Sequence, residues 1–365
     1  MEQSGGKAGP KVPLQGAYGC IVAPPIPCAS GYKPPFAMPQ NIMKIGKRRG
    51  IEEEIAAAHL ILRIPLNRLY FVVAKGEACT ITRDSLETRD ELKECSSIAD
   101  QSLSDILGFR MKKGGEYTLS KYNVNLRYFN IYNFFQHLLE AGALLTLHGI
   151  VHRDLHAENV IIDNQSVLRI IDFGQYARHN KTPSRYNNEP PRFSQMPPDL
   201  NMMLAIGNPR QQPLNVLLGE MWEVKPIMKT ISAVLGISAT QIRAKAMKFA
   251  KEDSSYKSGD YDGWWAAYWS KYDAWAIGAL IAEQLRQYMK FIQFEENEHF
   301  KVNKSRIMNT VRGLLDIDPR SRLDLVEALA IWNPKSRVLQ KYCMKWLMRR
   351  RRDRAADEVT AAGIV

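Results

Sequence analysis

The chain has 365 residues, 45% of them apolar and 24% charged. This balance excludes wholesale disorder and suits one large domain or two lobes. Fifty Lys and Arg against 38 Asp and Glu leave a net charge of +12, which favours acidic partners (phosphates, nucleic acid, anionic membranes, acidic proteins) without choosing among them. The five cysteines, Cys20, Cys28, Cys79, Cys95 and Cys343, are scattered, odd in number and never in a CxxC pair. They read as a reducing compartment, with neither a disulfide framework nor a structural zinc site. Apolar stretches such as Ala274–Ala282 fall far short of a membrane span. The opening residues carry no basic-then-apolar leader, and Glu2 stands where myristoylation needs glycine. The expectation is a soluble intracellular protein.

The first forty residues are crowded with Gly and Pro and read as strand, turn and loop. Ile51–Leu62 is a helical candidate with Glu52, Glu53 and Glu54 in its first turn, where the helix dipole favours negative charge. Arg68–Ala74 is β-branched and aromatic enough for a strand. Glu77–Asp105 is polar and expected to loop out, before a short strand at Ile106–Met111. From Arg127 to Leu147 apolar residues recur at helical spacing. Short strands follow at Val160–Ile162 and Leu168–Ile171, separated by the turn signal Asp163-Asn164. Residues 200–270 hold further helical pieces and the aromatic cluster Trp264, Trp265, Tyr268 and Trp269, read as core of that region. Helices resume at Tyr272–Tyr288 and Arg322–Ile331. Strands first and helices later give an α+β class, with a small β-rich lobe joined to a larger helical one.

The chemistry concentrates in Val151-His-Arg-Asp-Leu-His-Ala-Glu-Asn-Val160 and Ile171-Asp-Phe-Gly174. Phosphoryl transfer from ATP needs a group to orient the attacking hydroxyl and divalent metal on the phosphates. Asp154 can orient the nucleophile, and Asn159 and Asp172 offer hard oxygen ligands; the hairpin between them would bring Asp172 back beside Asn159. Here the chain resembles the eukaryotic-type protein kinase superfamily, whose catalytic loop reads H-R-D-L-x-x-x-N and whose metal loop reads D-F-G.

The resemblance implies a two-lobe protein-kinase-like fold, with residues 1–108 as the small lobe, 109–115 as hinge and 116–345 as the helical lobe with an insert at about 200–270. Residues 346–365 form a basic tail. Gly16-Ala17-Tyr18-Gly19-Cys20-Ile21 matches the second half of the glycine-rich loop, with Leu14 where the first glycine would stand. Lys44 matches the strand lysine that holds the α- and β-phosphates. Glu54 matches its helical partner, with Glu53 and Glu52 as alternatives. Phe109–Gly115 matches the hinge, where backbone near Arg110 and Lys112 would bind adenine. Pro197-Pro198-Asp199, Asp273 and Arg322 match structural positions that small-molecule kinases generally lack. The run Gly-Ala-Tyr-Gly-Cys-Ile-Val-Ala-Pro-Pro-Ile-Pro-Cys28 and the long insert resemble divergent kinases of large DNA viruses, which would place the protein in host cytoplasm or virion.

His156 stands where most such kinases carry lysine. It either takes over the phosphate contact, leaves transfer slow, or packs structurally. Arg153 precedes the catalytic Asp, and Thr182, Ser184, Tyr186 and Ser194 are candidate phosphorylation sites in the segment that such an arginine reads. Arg349–Arg352 and Arg354 could meet an acidic protein, nucleic acid or anionic lipid, or cap a solvated helix end. The reading implied is a Ser/Thr protein kinase using ATP with Mg²⁺ or Mn²⁺. The alternatives are a weak or inactive kinase fold serving as an interaction or virion component, and a small-molecule phosphotransferase.

Overall fold

The computed structural model describes residues 14–16, 19–29, 41–184, 192–206 and 212–361. The chain divides into two units. One comprises the chain up to Arg63, with Phe71–Glu116 and Ile171–Gln175; the other comprises Ile64–Tyr70, Tyr117–Ile170 and the chain from Tyr176 onward. Among the described residues no helix is long and apolar enough to cross a membrane.

The smaller unit is a five-stranded antiparallel sheet of β1 (Leu14–Gly16), β2 (Gly19–Val22), β3 (Asn41–Lys47), β4 (Cys79–Thr80) and β5 (Ile106–Lys112), in the order β1-β2-β3-β5-β4. Gly19 faces Gly46 across β2 and β3. A Cβ at Gly19 would lie 2.4 Å from the Ile45 carbonyl oxygen, so only glycine lets the two strands approach this closely. The helix Arg48–Ile61 follows β3 without a break. It begins three residues before the expected start, so Glu52, Glu53 and Glu54 lie beyond its first turn.

Two expectations fail in this unit. The polar stretch Glu77–Asp105 does not loop out: it supplies β4 and two short helices, Arg83–Glu87 and Asp90–Lys93, and buries Ile81, Leu92 and Ile98 against Cys20, Val22, Met43 and Ile45. Nor are the cysteines unpaired. Disulfides join Cys20 to Cys95 and Cys28 to Cys79, and only Cys343 is free. Scattered spacing hid these pairs because partners 75 and 51 residues apart leave no local signature.

The expected strand Arg68–Ala74 is also absent. Asn67–Tyr70 is a helical turn in the larger unit, where the Tyr70 hydroxyl donates to buried Glu140 at 2.8 Å and its ring lies tilted with its centroid 4.4 Å from that of His137. Tertiary packing overrides local strand preference.

The larger unit is built on the helix Ile131–Leu147, packed by Leu325–Trp332, Tyr272–Tyr288 and Glu298–Leu314. Asn130 caps the first of these by accepting the Asn133 N–H, which starts the helix four residues after the expected Arg127. Gly142 lies where a Cβ would meet Leu325 at 2.6 Å and Ile277 at 2.8 Å, so the central helices close in over a bare backbone. Asp324 opens Leu325–Trp332 with a capping box to Glu327. Two small antiparallel sheets complete the unit. β6 (Tyr117–Thr118) and β9 (Leu168–Ile170) flank β8 (Val160–Ile162), and β7 (Ile150–Val151) pairs with β10 (Ala177–Arg178). The 200–270 region folds as successive helices from Pro198–Ile206 to Tyr261–Tyr268, with Trp264 and Trp265 fully buried as its core. The carboxyl-terminal helix Met344–Ala361 runs across the expected 345/346 boundary.

Candidate active site

Within the smaller unit, β3 sets Lys44 opposite Ile21 of β2 and Phe109 of β5. Its ammonium donates to Glu54 Oε2 at 2.7 Å and to Asp172 Oδ1 at 2.9 Å. Glu52 and Glu53 turn outward instead, to exposed pairs with Arg48 and Arg49. Burial works against charge on Lys44, but the two carboxylates outweigh it and hold its pKa above the ordinary lysine value. Burial lifts Glu54 to about 7 despite the pull of Lys44, with the Asp172 charge adding to the rise. Asp172 sits in the left-handed region at φ 59°, and Phe173 after it is buried edge-on to Phe71 with centroids 5.9 Å apart. A non-glycine residue held there stores strain of the kind that clusters at functional sites.

Gly16 ends β1 opposite Gly19. Ala17 and Tyr18 lie outside the described residues, as do Arg185 and Tyr186. The expected hinge at Phe109–Gly115 needs correction. Arg110 and Lys112 are strand residues, paired with Met43 and Asn41, because β5 continues through Lys112. The Arg110 carbonyl already accepts the Lys75 N–H at 3.0 Å, and its guanidinium lies 3.9 Å from Cys28 Sγ.

Within the larger unit, buried Asp273 fixes the catalytic-loop backbone. It accepts the His152 N–H at 2.6 Å and the Arg153 N–H at 3.0 Å, and the Tyr272 hydroxyl donates to the Arg153 carbonyl at 3.3 Å. These bonds hold Arg153 at φ 70°, the second left-handed residue of the two motifs. Asn159 Nδ2 donates to the Asp154 carbonyl at 2.8 Å and to its carboxylate at 3.3 Å, and lies 3.0 Å from His156 Nε2. His156 Nε2 is 3.6 Å from Asp154 Oδ1, and His156 Nδ1 accepts the Glu158 N–H at 3.3 Å. Asp154, Asn159 and His156 therefore form one cluster. Partial burial pushes the Asp154 pKa up, but His156, His152 and Asn159 outweigh it and hold it below the usual carboxylate range. Asp154 is thus an anion at neutral pH, able to orient a hydroxyl.

Arg322 and Asp199 meet at 2.5 Å with no solvent contact, and the guanidinium also lies 5.1 Å over Trp275. Burial raises the Asp199 pKa against the attraction of Arg322. The Trp275 indole donates to the Ser194 carbonyl at 2.8 Å, and Ser194 is buried, which withdraws it from the candidate phosphorylation sites. One anchor escaped sequence reasoning. Lys225, fully buried in the insert, donates to the Phe193 carbonyl at 2.5 Å and to Asn201 Oδ1 at 3.0 Å. A lone lysine in an unpatterned stretch carries no signal that could have found it.

Comparison with known families matches the protein kinase domain over residues 97–198. The matched stretch takes in β5, the catalytic and metal loops and Pro197-Pro198, somewhat over a quarter of the chain. No curated protein matches the sequence. The match makes residues 97–198 similar to a protein kinase domain, and the mixed helices and small antiparallel sheets are consistent with an α+β kinase-like fold.

Proposed function

We propose that the protein transfers the γ-phosphate of ATP, with Mg²⁺ or Mn²⁺, to Ser or Thr hydroxyls of protein substrates. The observation that carries this reading is the buried Lys44 ammonium, held at 2.7 Å by Glu54 and 2.9 Å by Asp172. A lysine so fixed is preorganised for phosphate, since its orientation is set before nucleotide arrives. Gly16 through Ile21 would cover the phosphates with backbone N–H groups. Asp154 orients the acceptor hydroxyl and receives its proton.

Asn159 and Asp172 are assigned to the metal from their residue type and place in the chain, and the donor chemistry fits. Asn159 spends its amide N–H groups on Asp154 and keeps its carbonyl oxygen, while Asp172 engages Lys44 through Oδ1 and keeps Oδ2. Both are hard oxygens of the kind magnesium takes beside substrate phosphates. No cluster of three or more His, Cys, Asp or Glu side chains that could hold a metal occurs among the described residues. Such a site therefore depends on the nucleotide to complete its ligands. When bound, the ion neutralises charge on the phosphates.

His156 is assigned the phosphate contact from its place in the chain, while both of its ring nitrogens are engaged, Nδ1 with the Glu158 N–H and Nε2 with Asp154 and Asn159. The same observation favours a second reading, a weak or inactive kinase fold that serves as an interaction component. Exposed Arg349, Arg351 and Arg352 support an acidic or nucleic-acid partner, whereas Arg350 is bound to Asp324 at 3.1 Å.

The test is metal-dependent transfer of labelled γ-phosphate to generic acidic and basic proteins, followed by analysis of the labelled amino acid. Phosphoserine or phosphothreonine, abolished by Asp172→Ala, supports the proposal. Label on tyrosine removes the Ser/Thr assignment, and silence across metals and substrates moves the second reading to the front.

A further inference from the structure

The smaller unit carries two covalent links that the kinase reading does not use. Cys20 and Cys95 have Cα atoms 6.1 Å apart, and Cys28 and Cys79 5.7 Å apart, both spans that a disulfide bridges. Their positions are not arbitrary. Cys20 follows Gly19 and faces Ile45 in register, one residue from Lys44. Cys28 lies beyond β2 and bridges Ile81, and the neighbouring Ala29 N–H donates to the Thr80 carbonyl at 2.9 Å.

The other end of each link lies in residues 79–100. That segment offers only Ile81, Leu86, Leu92 and Ile98 as large apolar side chains, among many charges. So little apolar surface holds a segment weakly against a sheet, and small units with thin cores commonly compensate with disulfides. The Cys20 link fastens this segment to β2, and the Cys28 link fastens it to the chain beyond β2.

We infer that Cys20, Cys95, Cys28 and Cys79 are a covalent modification site, closed by a disulfide-bearing oxidant, on which the order of β2 and β3 depends. The consequence for nucleotide binding rests on the proposed function above. In each closure one cysteine thiolate attacks the oxidant disulfide, forming a mixed disulfide and releasing one small thiol. The second cysteine then displaces the other small thiol. Two cysteines lose two electrons and two protons, and one oxidant disulfide becomes two thiols. Cys20, Cys95 and Cys28 are buried, so closure belongs to folding, and exchange in the folded protein requires the unit to open.

The full chain, prepared without reductant, is unfolded and alkylated, and its mass is measured. One alkyl group, on Cys343, is expected, rising to five after reduction. Five without reduction overturns the inference. Hydrogen exchange then compares wild type with Cys20→Ser/Cys95→Ser, and with reduced wild type should the variant fail to fold. Amides of β2 and β3 should exchange at least about tenfold faster, while those of Ile131–Leu147 hold. Unchanged β2 and β3 protection overturns the dependence. Affinity for a non-hydrolysable ATP analogue should fall in parallel, and an unaltered affinity removes the nucleotide consequence. If the oxidised protein binds no nucleotide, the kinase reading fails, while the thiol count and exchange still decide the cross-links.

Discussion

In the smaller unit the buried lysine meets two carboxylates, and one of them, Asp172, keeps a quarter of its side chain exposed. In the larger unit buried Arg322 meets one carboxylate, and the Asp316 and Ile317 carbonyls and the face of Trp275 close the rest of its surroundings. The first cluster carries more negative than positive charge and has an open edge, so a further cation would balance it. The second is balanced in charge and closed to solvent, although Arg322 Nη1 and Asp199 Oδ2 have no hydrogen-bond partner. Two buried ion pairs in one chain thus differ: one keeps an edge open to solvent, the other is closed to it.

That difference can be broken most forcefully at Arg322. Arg322→Ala strands Asp199 in a dry site and should cost about 3–5 kcal/mol, measured by denaturant unfolding. A loss below about 1 kcal/mol would mean that the pair is not sealed in solution. Next in size is the covalent bracing of the other unit. Cys28→Ser/Cys79→Ser should cost about 2–4 kcal/mol under non-reducing conditions and nothing extra under reducing ones.

Two glycines sharpen the contrast between a functional and an indifferent backbone. Gly19→Ala drives a methyl into the Ile45 carbonyl and should separate β2 from β3 beside Lys44, weakening binding of an ATP analogue. Gly50→Ala, in the helix Arg48–Ile61 with open space around it, should instead stabilise by about 0.5–1 kcal/mol. Equal effects from the two would contradict the close strand approach.

The effects of pH differ in sign between the units. Glu54 is raised from 4.5 to about 7, so between those values the folded chain binds more protons than the unfolded one. Its contribution to stability therefore falls as pH rises through that window. Nucleotide affinity should rise there, because Lys44 is aligned by the ionised carboxylate. Lys225 is lowered from 10.5 to about 7, chiefly by burial, so the unfolded chain binds more protons above 7 and its contribution grows with pH. Glu54→Gln should flatten the acid limb of the stability profile and Lys225→Met the alkaline limb. A profile unchanged by either substitution would contradict these environments.

The two units were also unequally legible in the sequence. Asp154, Asn159 and Asp172 stood out because phosphoryl transfer needs an orienting group and hard oxygen ligands, and His152 and Arg153 because they complete the H-R-D pattern of the resemblance. Tyr272–Tyr288 stood out because its apolar residues follow the helical repeat. Glu54 could be named but not separated from Glu52 and Glu53, since only packing turns one of three adjacent glutamates inward. The Cys20–Cys95 and Cys28–Cys79 pairs were illegible, because contacts between distant residues have no spacing to read. The helix Glu298–Leu314 went unnoticed because its charged, solvent-facing side chains mask the few apolar residues, Phe300, Ile307, Val311 and Leu314, that it buries. The Asn67–Tyr70 turn was misread because Glu140 and His137, seventy residues on, decide its shape.

The central claim is that Asp154 serves the transfer step while Lys44 serves the nucleotide. The most direct measurement pairs ATP-analogue binding with single-turnover phosphate transfer in wild type, Asp154→Asn and Lys44→Met. Asp154→Asn should bind nucleotide as wild type does and lose about 10²–10⁴ in transfer, whereas Lys44→Met should lose affinity as well. Transfer by Asp154→Asn at the wild-type rate, or nucleotide binding indifferent to Lys44, would contradict that division of labour.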